Sequence, residues 1–535
     1  MRHDPVRGAT VWFRMVRGIA AVGVAVCIFG VQLAAMQRSE LNPEVQAMLE
    51  RITANSLRGH LSFIASDALE GRDTPSVGLD IAAEYIAAQF RRAGLAPAGD
   101  DGYFQTATFV TSRTPMDAFE LKMKSGPQTA TVASDKVSFN IDRELKITSP
   151  VFKIDYNDAA AFVALKPEQI AGKIVMTEIP DSRHETGPRR VEMFMARQEF
   201  LTKMGALNAA LVISVDRQGY KASIGGPGRL FDPADRRSRF QPPGAPVMTV
   251  HDPSGVKFYD SIKVGLNDDE IQIHIPGPVE TPVRLRNVIG VLSGSDPILK
   301  DTYVMVTAHY DHEGVRPDLV GDKILNGAND DGSGTVSVIE LAASLSAMKQ
   351  RPKRSLVFMT FFGEEKGLLG SRYYGRHPIF PIAKTVGDIN LEQLGRTDSD
   401  EGPQIANATM TGFDFTDIGT TLEAAGKQTG IKVYKHATNS DAFFSRSDNQ
   451  ALADQGVPAH TLCTAFVYPD YHGVGDHWDK IDYDNMEKVD RMIALGLVMI
   501  ANNPEPPKWN EANPKTARYV KAWNEHHTAA TSTNR

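Results

Sequence analysis

TAHYDH at residues 307–312 is the first of five stretches that decide the fold of this chain. The others are NGANDDGSG (326–334), FFGEEKGLLGS (361–371), INLEQLGR (389–396) and YHGVGDHWDKID (471–482). Each supplies His, Asp or Glu, and all but the last stand where an apolar run ends. Five separate segments with such side chains are hard to explain by chance. They predict a metal site that is assembled from distant parts of the chain.

The segment after residue 287 alternates apolar runs with helical stretches. NVIGVL, YVMVTA and SLVFMTFF are continuously apolar, which is typical of strands buried on both faces. The alternation predicts an α/β fold with a mostly parallel mixed sheet and helices on both faces. Ligands of such sheets bind beyond the carboxyl ends of the strands. The acidic and histidine residues stand at these ends.

The first 37 residues are predicted to be a signal peptide or signal anchor rather than part of the fold. Four arginines precede an apolar run from Gly18 to Ala35, and Leu33-Ala34-Ala35 offers small residues for cleavage. An uncleaved anchor is the alternative, because the run just reaches the length of a membrane span. The protein is therefore expected to be exported, either periplasmic or extracellular. Residues 18–35 would tether it to the membrane only if they are not cleaved.

Charge and cysteine content restrict the partners and the compartment. A net charge of −7 without a basic stripe argues against nucleic acid. Cys27 and Cys463 are the two cysteines, so removal of the signal would leave one thiol and no internal disulfide. This fits a periplasm or a cell surface. Cys463 lies in the apolar run HTLCTAF and is interpreted as a buried strand residue rather than a nucleophile.

Residues 127–280 are predicted to be an inserted domain between 38–126 and 281–503. Short β-like runs (GKIVMTEI, AALVISVD, APVMTVH) alternate there with the helix FLTKMGALNAA, and no catalytic constellation is present. The spacing resembles a β-rich α+β protease-associated domain, which shapes access to an active site. A spacer without a role in substrate binding is the alternative. Residues 504–535 are predicted to be an extended Pro- and Asn-rich tail.

The first three motifs supply most of the predicted metal site. His309 ends a strand, and Asp311, two residues later, can accept its second ring N–H. Asp330 precedes small residues and a helix, where a carboxylate can bridge two metals. Glu364 and Glu365 stand at the mouth of a buried strand, which is costly unless a cation lies between them. One of the two can bind a metal while the other acts as a base.

The last two motifs complete the ligand count. Glu392 ends the strand TVGDINLEQ, and His472 follows Tyr471 in a loop. A centre with two metals needs a bridging carboxylate and about two further ligands per metal. The candidate ligands are two imidazoles and three carboxylates from five segments: His309, Asp330, Glu365, Glu392 and His472.

Together these motifs resemble the co-catalytic dizinc aminopeptidases, the family of bacterial leucyl aminopeptidases, glutamate carboxypeptidase II and the transferrin receptor. The resemblance covers roughly residues 50–500 and includes the helical lead-in FIASDALEGRDTPSVGLDIAAEYIAAQFRRAGLAPAG. It implies two Zn²⁺ per chain. His309 and Glu392 would be terminal ligands of one ion, and Glu365 and His472 of the other, with Asp330 as the bridge.

The same resemblance implies the remaining roles. Glu364 would be the general base, Asp311 the partner of His309, and Tyr471 a donor to the oxyanion. The family usually has Asp where this chain has Glu392. Asp388 is the rival ligand, since strand parity puts both residues on one face, but they lie about 13 Å apart. Because the site is expected at the strand ends, Glu392 is the predicted ligand.

The resulting prediction is an exported dizinc exopeptidase that acts on peptides, namely an aminopeptidase. A carboxypeptidase or dipeptidase of the same family is the first alternative, with Arg446 or Arg372 as receptors for a substrate carboxylate. A receptor-like protein that has lost its metals is the remote alternative. Zinc content separates the last of these from the enzymes.

Overall fold

A computed structural model describes residues 41–139, 141–180, 187–218, 229–235, 244–317, 319–399 and 402–533. The predicted signal at residues 1–37 lies outside these ranges. In the part of the chain that is described, no helix is long and apolar enough to cross a membrane. The chain divides into two compact units, one of Met1–Ala107 with Leu285–Arg535 and one of Thr108–Arg284.

Helices form the N-terminal part of the first unit, and each begins at a polar cap. The side chain of Thr53 accepts a hydrogen bond from the backbone of Ser56, and Ser76 does the same for Leu79. The elements of this part are α1 (Pro43–Leu49), α2 (Ala54–Ile64), α3 (Val77–Arg92), β1 (Ala96–Pro97) and β2 (Phe104–Arg113).

The second unit is built around its own mixed sheet. Its elements are β3 (Glu120–Ser125), β4 (Gln128–Thr131), β5 (Val137–Phe139), β6 (Leu145–Lys153), α4 (Ala159–Ala164), α5 (Pro167–Ile170), β7 (Ile174–Thr177), α6 (Gly187–Ala206), β8 (Leu211–Val215), β9 (Arg229–Phe231), β10 (Val247–Val250), α7 (Pro253–Ser261) and β11 (Gly265–Ile275). The strand order is β4-β3-β11-β6-β7-β8-β10-β5. At the edge, His251 contacts Ser138 of β5 (2.9 Å) and Asp216 after β8 (2.7 Å), and so ties β5 to the sheet.

The boundary of this unit differs from the predicted insert at 127–280. Strand β3 precedes residue 127, yet it pairs with β4 and β11 of the second sheet. The sequence placed β3 in the other domain because alternation in a single strand does not reveal its partner. The identity of the unit as a protease-associated domain stays a prediction.

The remaining elements return to the first unit. They are β12 (Val279–Leu292), β13 (Tyr303–His309), β14 (Gly314–Val315), β15 (Ile324–Leu325), α8 (Gly334–Ser346), β16 (Ser355–Phe361), α9 (Leu369–Arg376), β17 (Thr385–Leu391), β18 (Asp398–Ser399), β19 (Gly402–Pro403), β20 (Asn407–Met410), α10 (Ile418–Thr429), β21 (Lys432–Tyr434), α11 (Asn439–Ala442), α12 (Asn449–Ala453), β22 (Ala459–Cys463), α13 (Tyr483–Asn502) and α14 (Ala517–Thr533).

The main sheet of this unit has a parallel centre. Its order runs β21-β20-β22-β17-β13-β16-β12-β2, with β1 paired to β12. Strands β16, β13, β17 and β22 are parallel neighbours, whereas β12 and β20 run antiparallel to them. Every residue of β16 and β17 is buried, as their continuous apolar runs predict. Helix α8 packs against β13, β16 and β17. The predicted mixed α/β fold is confirmed.

The C-terminal segment corrects the prediction of an extended tail. Residues Ala517–Thr533 form helix α14, and Tyr519 is buried. The indole of Trp509 donates to the carbonyl of Gly456 at 2.7 Å, and its ring stacks on Tyr519 with centroids 5.0 Å apart. Because of the Pro- and Asn-rich stretch before the helix, the sequence did not predict that Trp509 and Tyr519 pack against each other.

Arg72 joins three segments of the first unit. Its buried guanidinium donates to the carbonyls of Ile64 (2.6 Å), Tyr310 (2.8 Å), Asn326 (2.7 Å) and Gly327 (2.9 Å). Burial lowers its pKa to about 10, so the side chain stays charged at neutral pH. The end of α2 and the loops that follow β13 and β15 therefore depend on one cation.

Replacement of Arg72 by Met should reduce the free energy of unfolding by about 3–5 kcal/mol, because four buried carbonyls lose a charged donor. Urea denaturation of the metal-free protein measures this loss. Arg58→Met is the matched control, since Arg58 is exposed and its guanidinium only lies over the Tyr483 ring at 4.8 Å. The control should cost less than about 1 kcal/mol. Equal losses in the two variants would contradict the role of Arg72.

Candidate metal centre

The predicted ligands meet at one edge of the main sheet. The central strands β13, β16, β17 and β22 are parallel, so their carboxyl ends lie side by side. His309 is the last residue of β13, and Glu392 follows β17 directly. Glu364 and Glu365 follow β16, and His472 lies in the loop after β22. The strand ends thus bring together residues that are far apart in sequence.

Asp330 reaches this edge from the turn Ala328–Ser333, which leads into α8 and in which the backbone of Asp330 is not helical (φ −111°, ψ 101°). The carboxylate of Asp476 holds the turn. It accepts hydrogen bonds from the backbone N–H groups of Asn329 (3.0 Å) and Asp330 (3.1 Å) and from the hydroxyl of Tyr468 (2.9 Å). A buried carboxylate that accepts several such bonds fixes the backbone that carries Asp330.

The neighbouring Asp331 has a structural position. Its carboxylate accepts from the backbone N–H groups of His309 (3.2 Å), Gly334 (3.0 Å) and Gln393 (3.3 Å). It therefore links the ends of β13 and β17 to the start of α8. Of the two adjacent aspartates, only Asp330 remains directed at the histidines.

Asp330 lies between two imidazoles. Its Oδ1 is 3.4 Å from Nε2 of His309, and its Oδ2 is 3.0 Å from Nε2 of His472. Each oxygen thus faces a different cluster of ligand-type side chains. This is the arrangement that a bridging carboxylate requires.

The first cluster surrounds His309. Its Nε2 lies 3.8 Å from Oε1 of Glu392 and 4.0 Å from Oε2 of Glu364. On the other side of the ring, Nδ1 lies 3.5 Å from Oδ1 of Asp311. The same Asp311 oxygen accepts from the backbone N–H of Glu364 at 3.0 Å. Asp311 therefore orients both the imidazole and the segment that carries the candidate base.

The second cluster surrounds His472. Its Nε2 lies 3.4 Å from Oε2 of Glu365, and its Nδ1 lies 3.2 Å from Oε1 of Glu313. Tyr471 stacks on the imidazole, with ring centroids 4.1 Å apart. Glu313 was missed from the sequence, although it directly follows the TAHYDH motif. A carboxylate at Nδ1 fixes the tautomer and leaves Nε2 for a metal.

Glu392 and Asp388 occupy different depths of the sheet. The hydroxyl of Ser447 donates to Oε1 of Glu392, and Nδ2 of Asn390 donates to Ser447 at 2.7 Å. Asp388 instead accepts from the hydroxyl of Thr307, deep in the sheet, at 3.0 Å. Only Glu392 lies beside the histidine cluster. Ser447 was missed because the loop FFSRSDNQ has no periodicity that reveals its direction.

The charges of the site are unbalanced. Burial raises the pKa of Glu364 well above its usual range and that of Glu392 to about 8. Burial would lower the pKa of His472, but hydrogen bonds to Asp330 and Glu313 raise it to about 10. Burial likewise opposes ionisation of Asp330, but the two histidines hold its pKa below the usual value. Such a cluster attracts positive charge.

The donor set matches divalent zinc. Zinc prefers imidazole nitrogen and carboxylate oxygen, and both are concentrated here. Oε1 of Glu365 is buried and has no hydrogen-bond partner in the described part of the chain. A buried oxygen without a partner is costly unless a cation binds it. The residues present therefore fit bound metal.

Sequence comparison agrees with this chemistry. Residues 287–496 match the profile of peptidase family M28. Over these residues the chain is similar to that family. The family resemblance predicted from the motifs is confirmed at this level. The matched M28 region includes all five candidate ligands, Glu364 and Asp311.

Curated relatives of the M28 region are named as zinc metalloproteases. A probable zinc metalloprotease of Pyrenophora teres f. teres is 31% identical over 44% of this chain and 53% of its own length. Leupeptin-inactivating enzyme 1 of Streptomyces exfoliatus is 25% identical over 41% of this chain and 50% of its own. The chain spans about half to three fifths of the length of three curated zinc metalloproteases that it matches.

Solved structures share the fold. An aminopeptidase from Aneurinibacillus sp. strain AM-1 is similar with a TM-score of 0.53 and 18% identity, over 86% of this chain and 97% of its own. A zinc aminopeptidase from Bacillus subtilis is similar with a TM-score of 0.50 and 17% identity, over 84% and 96%. At such identities the likeness concerns the fold alone.

The depth difference between Glu392 and Asp388 leads to a test of the ligand set. Glu392→Gln should lower the affinity for one metal ion by at least about 100-fold, because a charged ligand is lost beside His309. Asp388→Asn is the matched control on the same strand face and should change metal affinity less than about threefold. Metal titration of the metal-free protein measures both. Loss of a metal in Asp388→Asn alone would contradict the assignment.

Proposed function

We propose that the protein is an exported zinc metallopeptidase with two zinc ions per chain, which removes N-terminal residues from peptides. The observation that carries the proposal is the position of Asp330. Its two oxygens lie 3.4 and 3.0 Å from two different imidazoles, each in a cluster with a further carboxylate. A site for one metal does not need a carboxylate between two such clusters.

The proposed ligand sets follow from these distances. His309 and Glu392 would hold one ion together with Oδ1 of Asp330. Glu365 and His472 would hold the other together with Oδ2. Each ion would then have a single imidazole and two carboxylates, which leaves positions open for water and substrate.

Glu364 is the proposed general base. Bound zinc would acidify a shared water and polarise the scissile carbonyl. Glu364 would take the proton from that water and give it to the leaving amine. Burial raises the pKa of this carboxyl, which increases its driving force as a base. Its backbone is held by Asp311, so the side chain keeps its distance from the metal ligands. Tyr471, stacked on His472, is the proposed oxyanion donor.

A cleft beside Glu392 is the proposed receptor for the substrate's first side chain. Phe443 and Phe466 line it together with Ser447, and their rings contact each other with centroids 4.8 Å apart. These aromatic walls support a preference for apolar or aromatic residues. A free α-amine would bind at the carboxylate-rich edge, which supports the assignment as an aminopeptidase.

A carboxypeptidase or dipeptidase is the second candidate, and Arg446 favours it. The guanidinium lies over the Phe443 ring at 4.3 Å and lines the same cleft. It could bind a substrate carboxylate there. Aminoacyl amides, N-acetylated peptides and dipeptides separate the possibilities: an aminopeptidase cleaves only substrates with a free α-amine and does not need a C-terminal carboxylate.

Arg446→Gln further distinguishes an aminopeptidase from a carboxypeptidase. For an aminopeptidase with an apolar pocket, kcat/KM for leucyl amides should change less than about threefold. For a carboxypeptidase, kcat/KM for N-acetylated peptides with a free C-terminal carboxylate should fall about 100-fold or more, because a charged hydrogen bond to that carboxylate is lost. Arg372→Gln is the second variant, since Arg372 was the other predicted receptor.

Fractionation of the producing cells tests the proposed export in the same preparations.

The role of the base gives a direct prediction. Glu364→Gln should keep zinc content at the wild-type level and lower kcat by about 10²–10⁴, because the group that moves the proton is lost. Zinc analysis together with steady-state kinetics measures both quantities. Glu423→Gln on α10 is the control and should leave both unchanged. A zinc-loaded Glu364→Gln variant with wild-type kcat would refute the role.

A further inference from the structure

His312 is a buried histidine to which the proposed mechanism gives no role. It follows β13 in the TAHYDH motif and is 0% exposed. Neither of its ring nitrogens has a hydrogen-bond partner among the residues that the structure describes. Burial of an imidazole with both nitrogens unpaired is costly. The ring nitrogens therefore need a favourable interaction other than a hydrogen bond to the described residues.

The ring is confined in one position. A Cβ atom at Gly327 would lie 2.4 Å from Cγ of His312, so the absence of a side chain there allows the imidazole to pack under the loop. The backbone N–H of His312 donates to the carbonyl of Arg72 at 3.3 Å. The missing side chain at Gly327 thus lets the ring lie beside the turn that carries Asp330, and the hydrogen bond to Arg72 fixes the backbone of His312.

Nδ1 of His312 faces another atom without a partner. It lies 2.8 Å from Oε1 of Glu365, and the two atoms are not aligned as a hydrogen bond. Ligand atoms of His312, Asp330 and Glu365 all lie within 4.8 Å of one another. Two atoms that bind one zinc ion at 2.0–2.2 Å lie at most about 4.4 Å apart, so one ion can reach both Nδ1 and Oε1. A cation between them would satisfy both atoms.

We propose that His312 is an additional protein ligand, through Nδ1, of the metal held by Glu365 and His472. The proposal rests on the proposed metal centre. The rings of His312 and His472 are 5.6 Å apart at 82°. Each imidazole centroid lies about 3.2 Å from a metal it binds, so one ion can contact both rings.

The proposal makes the two metals unequal. The ion near His309 has one imidazole, whereas the ion near His472 has two. Nitrogen-rich sites bind zinc, copper and cobalt more strongly than sites dominated by carboxylates. The ion near His309 and Glu392 should therefore be the first that a chelator removes.

The test uses the full chain with three substitutions. His312→Gln removes the proposed ligand. Glu313→Gln removes the acceptor for Nδ1 of His472. It shows how much zinc affinity is lost when a residue that contacts a ligand, rather than a ligand itself, is removed. His60→Gln is the matched control: a buried histidine whose nitrogens contact Tyr85 (2.9 Å) and Glu340 (3.0 Å). Zinc affinity is measured by titration of the metal-free proteins against a competing chelator.

We expect His312→Gln to weaken the binding of one of the two ions by more than about 100-fold. The loss of a residue that only contacts a metal ligand costs about 10–100-fold in affinity. Glu313→Gln should stay within that range, and His60→Gln should match the wild type. If the loss in His312→Gln also stays within about 100-fold, His312 is not a ligand. A wild-type protein that binds fewer than two ions would instead refute the proposed function.

Cobalt-substituted wild type provides an answer that does not depend on any variant. Each histidine that binds cobalt leaves one exchangeable ring N–H with a strong contact shift in the proton NMR spectrum. Three such signals are expected, from His309, His312 and His472. Two signals would overturn the proposal, and this holds even if His312→Gln does not fold. In a folded His312→Gln variant one of the three signals should disappear.

Discussion

The burial of many carboxylates at one sheet edge is the constraint on which the rest of the structure depends. Asp311, Asp330, Asp331 and Asp476 are buried there, and four glutamates (Glu313, Glu364, Glu365 and Glu392) are partly buried beside them. The guanidinium of Arg72 is buried in the same region, yet its donors are directed at backbone carbonyls. Its charge acts on the aspartates only through space. So much negative charge in a low dielectric is tolerable only when cations bind or protons are taken up. The site is therefore built to be completed by metal.

The carboxylates divide into two groups with different partners. Asp331 and Asp476 accept hydrogen bonds from backbone N–H groups and fix the turn around Asp330. Asp311 and Glu313 contact Nδ1 of the histidines and leave Nε2 toward the centre. Asp330, Glu365 and Glu392 remain as the proposed carboxylate ligands of the metals. The outer group makes the inner group rigid, and a rigid set of ligands determines which ion fits. This explains why acidic residues so outnumber the ligands.

The sequence predicted the parts of the site that periodic structure controls. His309 and Glu392 stand at the ends of continuous apolar strands, and the expectation that the site lies at strand ends favoured Glu392 over Asp388. The structure places Glu392, and not Asp388, beside His309. Ser447, Glu313 and His312 lie in loops, where side-chain direction has no period, so their roles appear only in three dimensions. The same limit explains the domain boundary: β3 has a clear strand pattern, but its partner β11 lies far along the chain. Helix α14 was hidden by the Pro-rich stretch before it.

The adjacency of Glu364 and Glu365 would allow one strand end to supply both the proposed ligand and the proposed base. Successive side chains diverge, so Glu365 reaches His472 at 3.4 Å while Glu364 stays 4.0 Å from His309. Without cations, burial raises the pKa of Glu364 well above its usual range and favours the protonated carboxyl. Bound cations would favour its ionised form and lower that pKa again. A carboxyl group poised between these two effects can take a proton from water and release it to an amine. Metal binding would thus create the base as well as the electrophile, and a metal-free chain would lack both.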